Sequence, residues 1–183
     1  MAEPIFTDRT LVTGFGPFLQ VTENPSAKVA AAVDRRFEVL EVSFDVVDAY
    51  LDSLEPASFD RLVMLGVATG RSEVTPELFA RNQIGHTKDV RGFDRFGPIE
   101  ADAPLLLQGT LLTAEALGKT FDEPLIKPSM DAGSYLCNFT YYRALRRFPN
   151  RRVGFIHIPD LAAVPLDRQI QLVRRLIELA ESA

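Results

Sequence analysis

The stretch Arg61-Leu62-Val63-Met64-Leu65-Gly66 is apolar from its second residue to its end, without the polar alternation of a half-exposed strand. Such a run is typical of a parallel strand that is buried on both faces of its sheet. Residues 153–158 predict another buried strand, and residues 10–13 predict a shorter one. The run at 61–66 therefore decides the fold class, because a sheet with two buried faces needs a layer of helices on each side.

Segments of helical periodicity lie between these strands. Asn24 can cap a helix and Pro25 fits its first position. Helices are predicted over residues 25–37, 46–54, 111–121, 136–148 and 166–180, and further strands over 37–44 and 125–130, the last at a sheet edge because it contains Pro128. Residues 67–104 are loop-rich, which is typical of a functional region. The alternation predicts one domain over residues 1–183, a three-layer α/β/α fold with a mostly parallel, open central sheet.

Composition excludes several classes of function. The chain has 183 residues, 46% apolar and 25% charged, with 20 basic and 25 acidic side chains and a net charge of −5. No long basic run favours nucleic acid, and no apolar run approaches the length of a membrane span. The N-terminus lacks the features of a secretory signal, and a single cysteine forms no internal disulfide, so we expect a cytoplasmic protein. No ligand spacing predicts a metal site, and no cofactor is expected.

The only cysteine, Cys137, and one of two histidines, His157, form a candidate catalytic pair. A thiol needs a nearby base to become a nucleophile at neutral pH. Cys137 lies at a predicted helix start, where free backbone amides favour a thiolate, and His157 lies at the carboxyl end of a predicted strand, where α/β folds bind ligands. The alternative is a buried cysteine beside a core histidine, which is the commoner situation for such residues.

Other side chains compete for roles in this pair. His86, in a polar loop, is a second candidate base. Glu73 and Glu77 follow the strand at 61–66 and are both candidates to hydrogen-bond the second imidazole nitrogen. Thr75-Pro76-Glu77 also fits the start of a helix, with threonine as cap and glutamate in the first turn.

Four motifs, in order, resemble the pyroglutamyl peptidase I family of cytosolic cysteine peptidases, which remove an N-terminal pyroglutamyl residue. The motifs are Thr13-Gly14-Phe15-Gly16-Pro17-Phe18 with Asn24-Pro25-Ser26, Gly70-Arg71-Ser72-Glu73-Val74-Thr75-Pro76-Glu77, Ala132-Gly133-Ser134-Tyr135-Leu136-Cys137-Asn138, and Gly154-Phe155-Ile156-His157-Ile158-Pro159. The likeness spans nearly the whole chain, and four ordered motifs are far more specific than one.

The resemblance implies a role for each matching residue. Cys137 would be the nucleophile, His157 the base and later the acid, and Glu77, in an extended segment, the residue that orients His157. Phe15 and Phe18 would line the pyrrolidone pocket. In Asp89-Val90-Arg91, Arg91 would help to hold the oxyanion. The implied partner is a small peptide with a blocked N-terminus, and family members often form homo-dimers or homo-tetramers.

Several positions depart from the family pattern. Val67 stands where the family usually has a glutamine near the pyrrolidone ring, Leu78 follows Glu77 in place of arginine, and Gly92 follows Arg91 in place of isoleucine. The segment after Pro159 differs, and the chain is shorter between residues 109 and 128. Two alternatives to a pyroglutamyl peptidase follow: a related cysteine amidase with altered acyl specificity, or a non-catalytic protein that binds a small ligand on the same fold.

Overall fold

A computed structural model describes residues 9–19 and 21–183. Strands and helices alternate along it, with a short 3-10 turn at Pro56–Ser58. In chain order the elements are β1 (Thr10–Phe15), α1 (Pro25–Ala32), β2 (Arg36–Leu40), α2 (Phe44–Ser53), β3 (Arg61–Val67), β4 (Thr75–Glu77), β5 (Phe79–Arg81), β6 (Leu106–Gln108), α3 (Ala114–Gly118), α4 (Leu136–Arg147), β7 (Arg152–Ile158) and α5 (Leu166–Glu181).

The central sheet has five strands in the order β2-β1-β3-β7-β4. The first four are parallel to one another, while the short β4 pairs antiparallel with β7 at the edge. β5 and β6 form a separate two-stranded antiparallel sheet. The sheet is open, so the predicted mixed α/β fold with a mostly parallel central sheet is confirmed.

Each face of the sheet carries its own apolar core. On one face Met64 and Phe155 pack with side chains of α2 and α4. On the other face Val63, Leu65 and Ile156 pack with side chains of α1 and α5. The alternation of side chains along β3 and β7 thus sends successive residues to opposite helix layers, as expected for strands buried on both sides.

Two predicted boundaries near the N-terminus are wrong. Helix α1 ends at Ala32, and Asp34 then adopts a left-handed backbone with φ 55°, which stops helical propagation. Phe37 therefore lies in β2 instead of ending the helix. The predicted strand at 37–44 ends at Leu40, and Phe44 begins α2 as a fully buried side chain in the core beside α4.

The region after β6 is less regular than the sequence predicts. The helix predicted at 111–121 is reduced to α3, which begins only after Thr113, whose side chain accepts a hydrogen bond from the Ala116 amide. Residues 125–129 form no regular strand, but they run parallel to residues 74–78 and exchange backbone hydrogen bonds with them. Pro128 has no N–H to donate, which limits this pairing at the sheet edge.

No helix in residues 9–19 and 21–183 is long and apolar enough to cross a membrane. The carboxyl ends of the parallel strands β1, β3 and β7 lie on the same side of the sheet, and the segments that follow these strands meet there.

Candidate active site

An imidazole and a carboxylate meet where β7 and β4 pair. His157 on β7 pairs with Thr75 on β4, and Glu77 lies two positions along β4, so His157 and Glu77 are diagonal neighbours on one face. The Nδ1 atom of His157 is 2.7 Å from Oε1 of Glu77. The Glu77 side chain is fully buried and the His157 side chain is 6% exposed. Glu77 is thus extended, and the alternative in which residues 75–77 open a helix is wrong.

Arg71 completes this cluster, and sequence reasoning gave it no role. Its Nη1 atom donates to Oε1 of Glu77 at 2.6 Å and to Oγ1 of Thr75 at 2.6 Å. Oε1 of Glu77 therefore accepts from both the guanidinium and the imidazole, while Oε2 is buried and has no hydrogen-bond partner among the described residues. In the sequence Arg71 lies six positions before Glu77, but no periodic pattern predicts the bend that brings the two side chains together.

Cys137 is the second residue of α4, so its thiol lies at the N-terminal end of that helix. A Cβ atom added to Gly66 would be 2.8 Å from Sγ of Cys137, which places the sulfur directly against β3. Gly66 is the register partner of His157 on the neighbouring parallel strand. Because paired positions of adjacent strands direct their side chains to the same face, the thiol and the imidazole share one face of the sheet.

The protein around the sulfur and the imidazole shifts both pKa values toward the neutral forms. Loss of hydration raises the pKa of the Cys137 thiol to about 12; the negative charge of Glu77 adds to this rise, and the positive charge of Arg71 opposes it. Burial lowers the pKa of His157, against the hydrogen bond and charge of Glu77, which raise it. Cys137 as a whole residue is nevertheless half-buried, and it lines a cavity. A neutral thiol and a neutral imidazole on the same face of the sheet are suited to proton transfer during attack.

The predicted pocket residues lie together with Cys137. A small cavity of about 20 Å³ lies beside the thiol. It is lined by Phe15, Phe18, Asn24, Val42, Val67, Tyr135, Leu136 and Cys137. This space holds about one water molecule, so a ring-sized ligand would need the lining side chains to move apart.

The polar side chains of this lining are already engaged. Asn24 donates from Nδ2 to the Gly16 carbonyl and accepts from the Ser26 amide, so it caps α1. The Tyr135 hydroxyl donates to the Lys88 carbonyl. Apolar surface thus dominates what the cavity offers to a ligand.

The remaining candidates lie further out. Arg91 is 47% exposed, and its guanidinium binds Glu41 at 2.6 Å, so its help to an oxyanion stays a prediction. His86 is exposed, and its ring stacks on Phe96 with centroids 3.7 Å apart. The half-buried Glu73 accepts a hydrogen bond from the hydroxyl of the adjacent, exposed Ser72. Of the two carboxylates left open by the sequence, Glu77 is the one hydrogen-bonded to His157.

Comparison with known proteins gives one consistent result. The family model described as pyroglutamyl peptidase matches residues 8–173. The pyrrolidone-carboxylate peptidase of Oceanobacillus iheyensis is 31% identical over 177 residues, covering 88% of this chain and 89% of that protein. The crystal structure of pyrrolidone carboxyl peptidase from Thermus thermophilus is similar with a TM-score of 0.81 and 31% identity, covering 92% of this chain and 98% of that one. Pyrrolidone carboxyl peptidase from Thermococcus litoralis gives a TM-score of 0.84 at 25% identity, covering 96% and 94%.

Proposed function

This chain belongs to the pyroglutamyl peptidase family, and we propose that it is a cysteine peptidase that hydrolyses the amide bond after an N-terminal pyroglutamyl residue. Cys137 is the nucleophile, His157 the general base and later the general acid, and Glu77 the residue that orients His157. The observation that carries the proposal is the buried 2.7 Å contact between His157 and Glu77 on the face of the sheet where Sγ of Cys137 lies against Gly66.

The first half of the reaction forms a thioester. A carboxylate only accepts hydrogen bonds, so Glu77 holds the proton of His157 on Nδ1 and leaves a lone pair on Nε2. Nε2 takes the proton of Cys137 as the sulfur attacks the carbonyl carbon of the pyroglutamyl group. The imidazolium then gives this proton to the leaving nitrogen as the C–N bond breaks, which frees the shortened peptide.

The second half regenerates the thiol. Neutral His157 takes a proton from water as the hydroxide attacks the thioester carbon; the C–S bond then breaks, the imidazolium returns the proton to the sulfur, and pyroglutamate is released. In both halves the negative oxygen is held by backbone amides in the first turn of α4, the Cys137 amide among them, because these have no partner within the helix. Each such donor is worth about 2.7–4 kcal/mol of transition-state stabilisation. We assign Arg91, at the outer rim, a supporting role toward the same oxygen.

The substrate is a small peptide with a blocked N-terminus. We place the flat five-membered ring against Phe15, Phe18 and Val67, which line the cavity and move apart to admit it, with the carbonyl carbon facing Cys137. Two aromatic rings offer a narrow slot that suits a flat ring better than a branched side chain. A free thiol nucleophile persists in a reducing compartment, which supports a cytoplasmic site of action.

Release of dye from a pyroglutamyl-coumarin amide tests this function. The wild type should turn the substrate over, and Cys137→Ala should abolish release while melting at a similar temperature. Ser53→Ala, at an exposed end of α2, is the matched control and should keep full activity. A folded wild-type protein without turnover would contradict the proposal and favour a non-catalytic protein that binds a small ligand.

A second candidate keeps the chemistry and changes the acyl group. It is favoured by the apolar side chain of Val67 in the cavity and by the engaged polar groups of Asn24 and Tyr135. A site that offers hydrogen bonds to a polar ligand rejects analogues without them strongly, whereas an apolar slot discriminates weakly. A panel of N-acyl and lactam amides of one coumarin dye separates the two: a clear preference for the pyroglutamyl amide would exclude the altered specificity.

A further inference from the structure

The guanidinium of Arg71 connects the strand that carries Glu77 with the segment that precedes Cys137. Nη1 binds Oε1 of Glu77 and Oγ1 of Thr75 on strand β4, each at 2.6 Å. Nη2 donates to the backbone carbonyl of Asp131 at 2.8 Å. Asp131 precedes Cys137 by six residues, so one side chain links the strand of the carboxylate to the segment that leads into the nucleophile helix.

Hydrogen bonds hold residues 129–133, the segment that joins Asp131 to α4. The Asp131 carboxylate accepts a hydrogen bond from the Gly133 amide, where the chain turns with φ 81° toward α4. Ser129, two residues earlier, pairs its backbone with β4 by donating to the Pro76 carbonyl and accepting from the Leu78 amide. Movement of the Asp131 carbonyl would therefore move the start of α4 relative to Glu77.

The contact with Arg71 also restricts which oxygen His157 meets. Oε1 of Glu77 accepts from both Arg71 and His157, and Oε2 has no partner among the described residues. Without the guanidinium, the carboxylate can rotate about its terminal torsion, which is soft for an sp³–sp² bond. The guanidinium is planar and presents several donors in fixed directions, so it holds the carboxylate in one orientation.

The charge of Arg71 acts on the reacting groups as well. It opposes the rise in the pKa of Cys137, and it lowers the pKa of His157 further. The Arg71 side chain is only 29% exposed, so this charge is weakly screened by solvent. The effect on Cys137 favours loss of the thiol proton, whereas the effect on His157 keeps the imidazole neutral but makes it a weaker base.

We propose that Arg71 is a positioning residue for the hydrolysis, which fixes Glu77 beside His157, ties β4 to the segment before Cys137, and supplies a positive charge that favours the thiolate. The inference rests on the proposed function for its kinetic part. It adds a fourth side chain to the three that carry the chemistry, and this side chain acts only through them.

Arg71→Gln and Arg71→Lys test this role, with Arg175→Gln as control, since Arg175 pairs with Asp122 on an exposed surface. Arg71→Gln should lower kcat by up to about 100-fold with little change in KM, the loss expected for a misplacement of about 1 Å. The acid limb of its kcat/KM profile should move to higher pH, because the charge that lowers the His157 pKa is gone. At each pH between about 7 and 9 the rate of Cys137 alkylation by iodoacetamide should be lower than in the wild type, because the positive charge that opposes the rise in the Cys137 pKa is gone.

Arg71→Lys separates charge from geometry. A lysine keeps the positive charge but has no planar fork, so the alkylation profile should stay near that of the wild type while kcat remains reduced. Wild-type kcat and alkylation profile in folded Arg71→Gln would overturn the proposal. If Arg71→Gln does not fold, Arg71→Lys decides: reduced kcat at an unchanged melting temperature supports the role, and unchanged kcat overturns it. Alkylation needs no turnover, so a wild type that shows the Arg71-dependent profile but hydrolyses nothing would refute the proposed function alone.

Discussion

Gly66→Ala should displace the nucleophile by a distance that the structure defines. The new Cβ would lie 2.8 Å from Sγ of Cys137 and 2.8 Å from Cζ of Phe155. Contacts between such atoms are optimal at about 3.5–4.0 Å, so the sulfur or the ring must move by roughly 1 Å. Because Gly66 lies within β3, between β1 and β7, its backbone has little freedom to retreat.

Both consequences of this displacement are measurable. Overpacking of this kind costs about 1–3 kcal/mol of stability, and a nucleophile misplaced by about 1 Å loses about 100-fold in rate. Steady-state hydrolysis of a pyroglutamyl-coumarin amide and urea unfolding should therefore show a large loss of kcat/KM with a modest loss of stability.

Gly154→Ala is the matched control, because it makes the same chemical change on the opposite face of the sheet. Its added Cβ would meet the side chain of Leu111, in the core beside α1 and α5. We expect it to destabilise the protein at least as much as Gly66→Ala while leaving kcat/KM nearly unchanged at a temperature where both variants are folded. Full activity of Gly66→Ala, or equal losses of activity in the two variants, would refute the placement of the sulfur against β3.

Three further outcomes are expected. Glu77→Gln keeps the shape but removes the charge that stabilises protonated His157, so kcat/KM should fall about 10- to 150-fold, the equivalent of about 1.5–3 kcal/mol. Urea unfolding should show that stability falls as the pH drops below ~6.5, because His157 gains a proton on unfolding that its lowered pKa keeps off in the folded state. Stability should also fall as the pH rises above ~8.5, because Cys137 loses a proton on unfolding that its raised pKa retains in the folded state. Cys137→Ala should lose only this alkaline decline. Val67→Gln should raise the preference for a pyroglutamyl amide over its cyclopentanecarbonyl analogue by about 10-fold, the value of one added hydrogen bond, and an unchanged ratio would contradict an apolar slot.

The sequence predicts the sheet and its helix layers well because burial leaves a strong pattern. The apolar runs in β3 and β7 send alternate side chains to two cores, one on each face of the sheet. The helix cap is predicted equally well, because Asn24 accepts a hydrogen bond from the Ser26 amide, as its position before Pro25 predicts. These features depend on residues within a few positions of one another.

The charged cluster around His157 is harder to predict because it depends on contacts across the chain. Glu77 lies in a strand of three residues, too short for a periodicity, and its partner on β7 is 80 positions away. Without the family resemblance, the sequence does not distinguish Glu73 from Glu77 as the partner of His157. Arg71 lies six positions before Glu77, but this spacing has no periodic pattern, because the contact arises from a bend between β3 and β4.

The position of Cys137 at a helix N-terminus predicts a lowered thiol pKa, but the groups around the sulfur raise this pKa instead. A helix terminus stabilises a negative charge by about 0.3–1 kcal/mol, which lowers a thiol pKa by less than one from its usual value near 8.5. Loss of hydration, together with the charge of Glu77, raises it to about 12 instead. A free thiolate is then scarce at neutral pH, so attack must coincide with transfer of the proton to His157. The activity therefore depends on the alignment of His157 more than on the helix, and the fixed orientation of Glu77 matters for that reason.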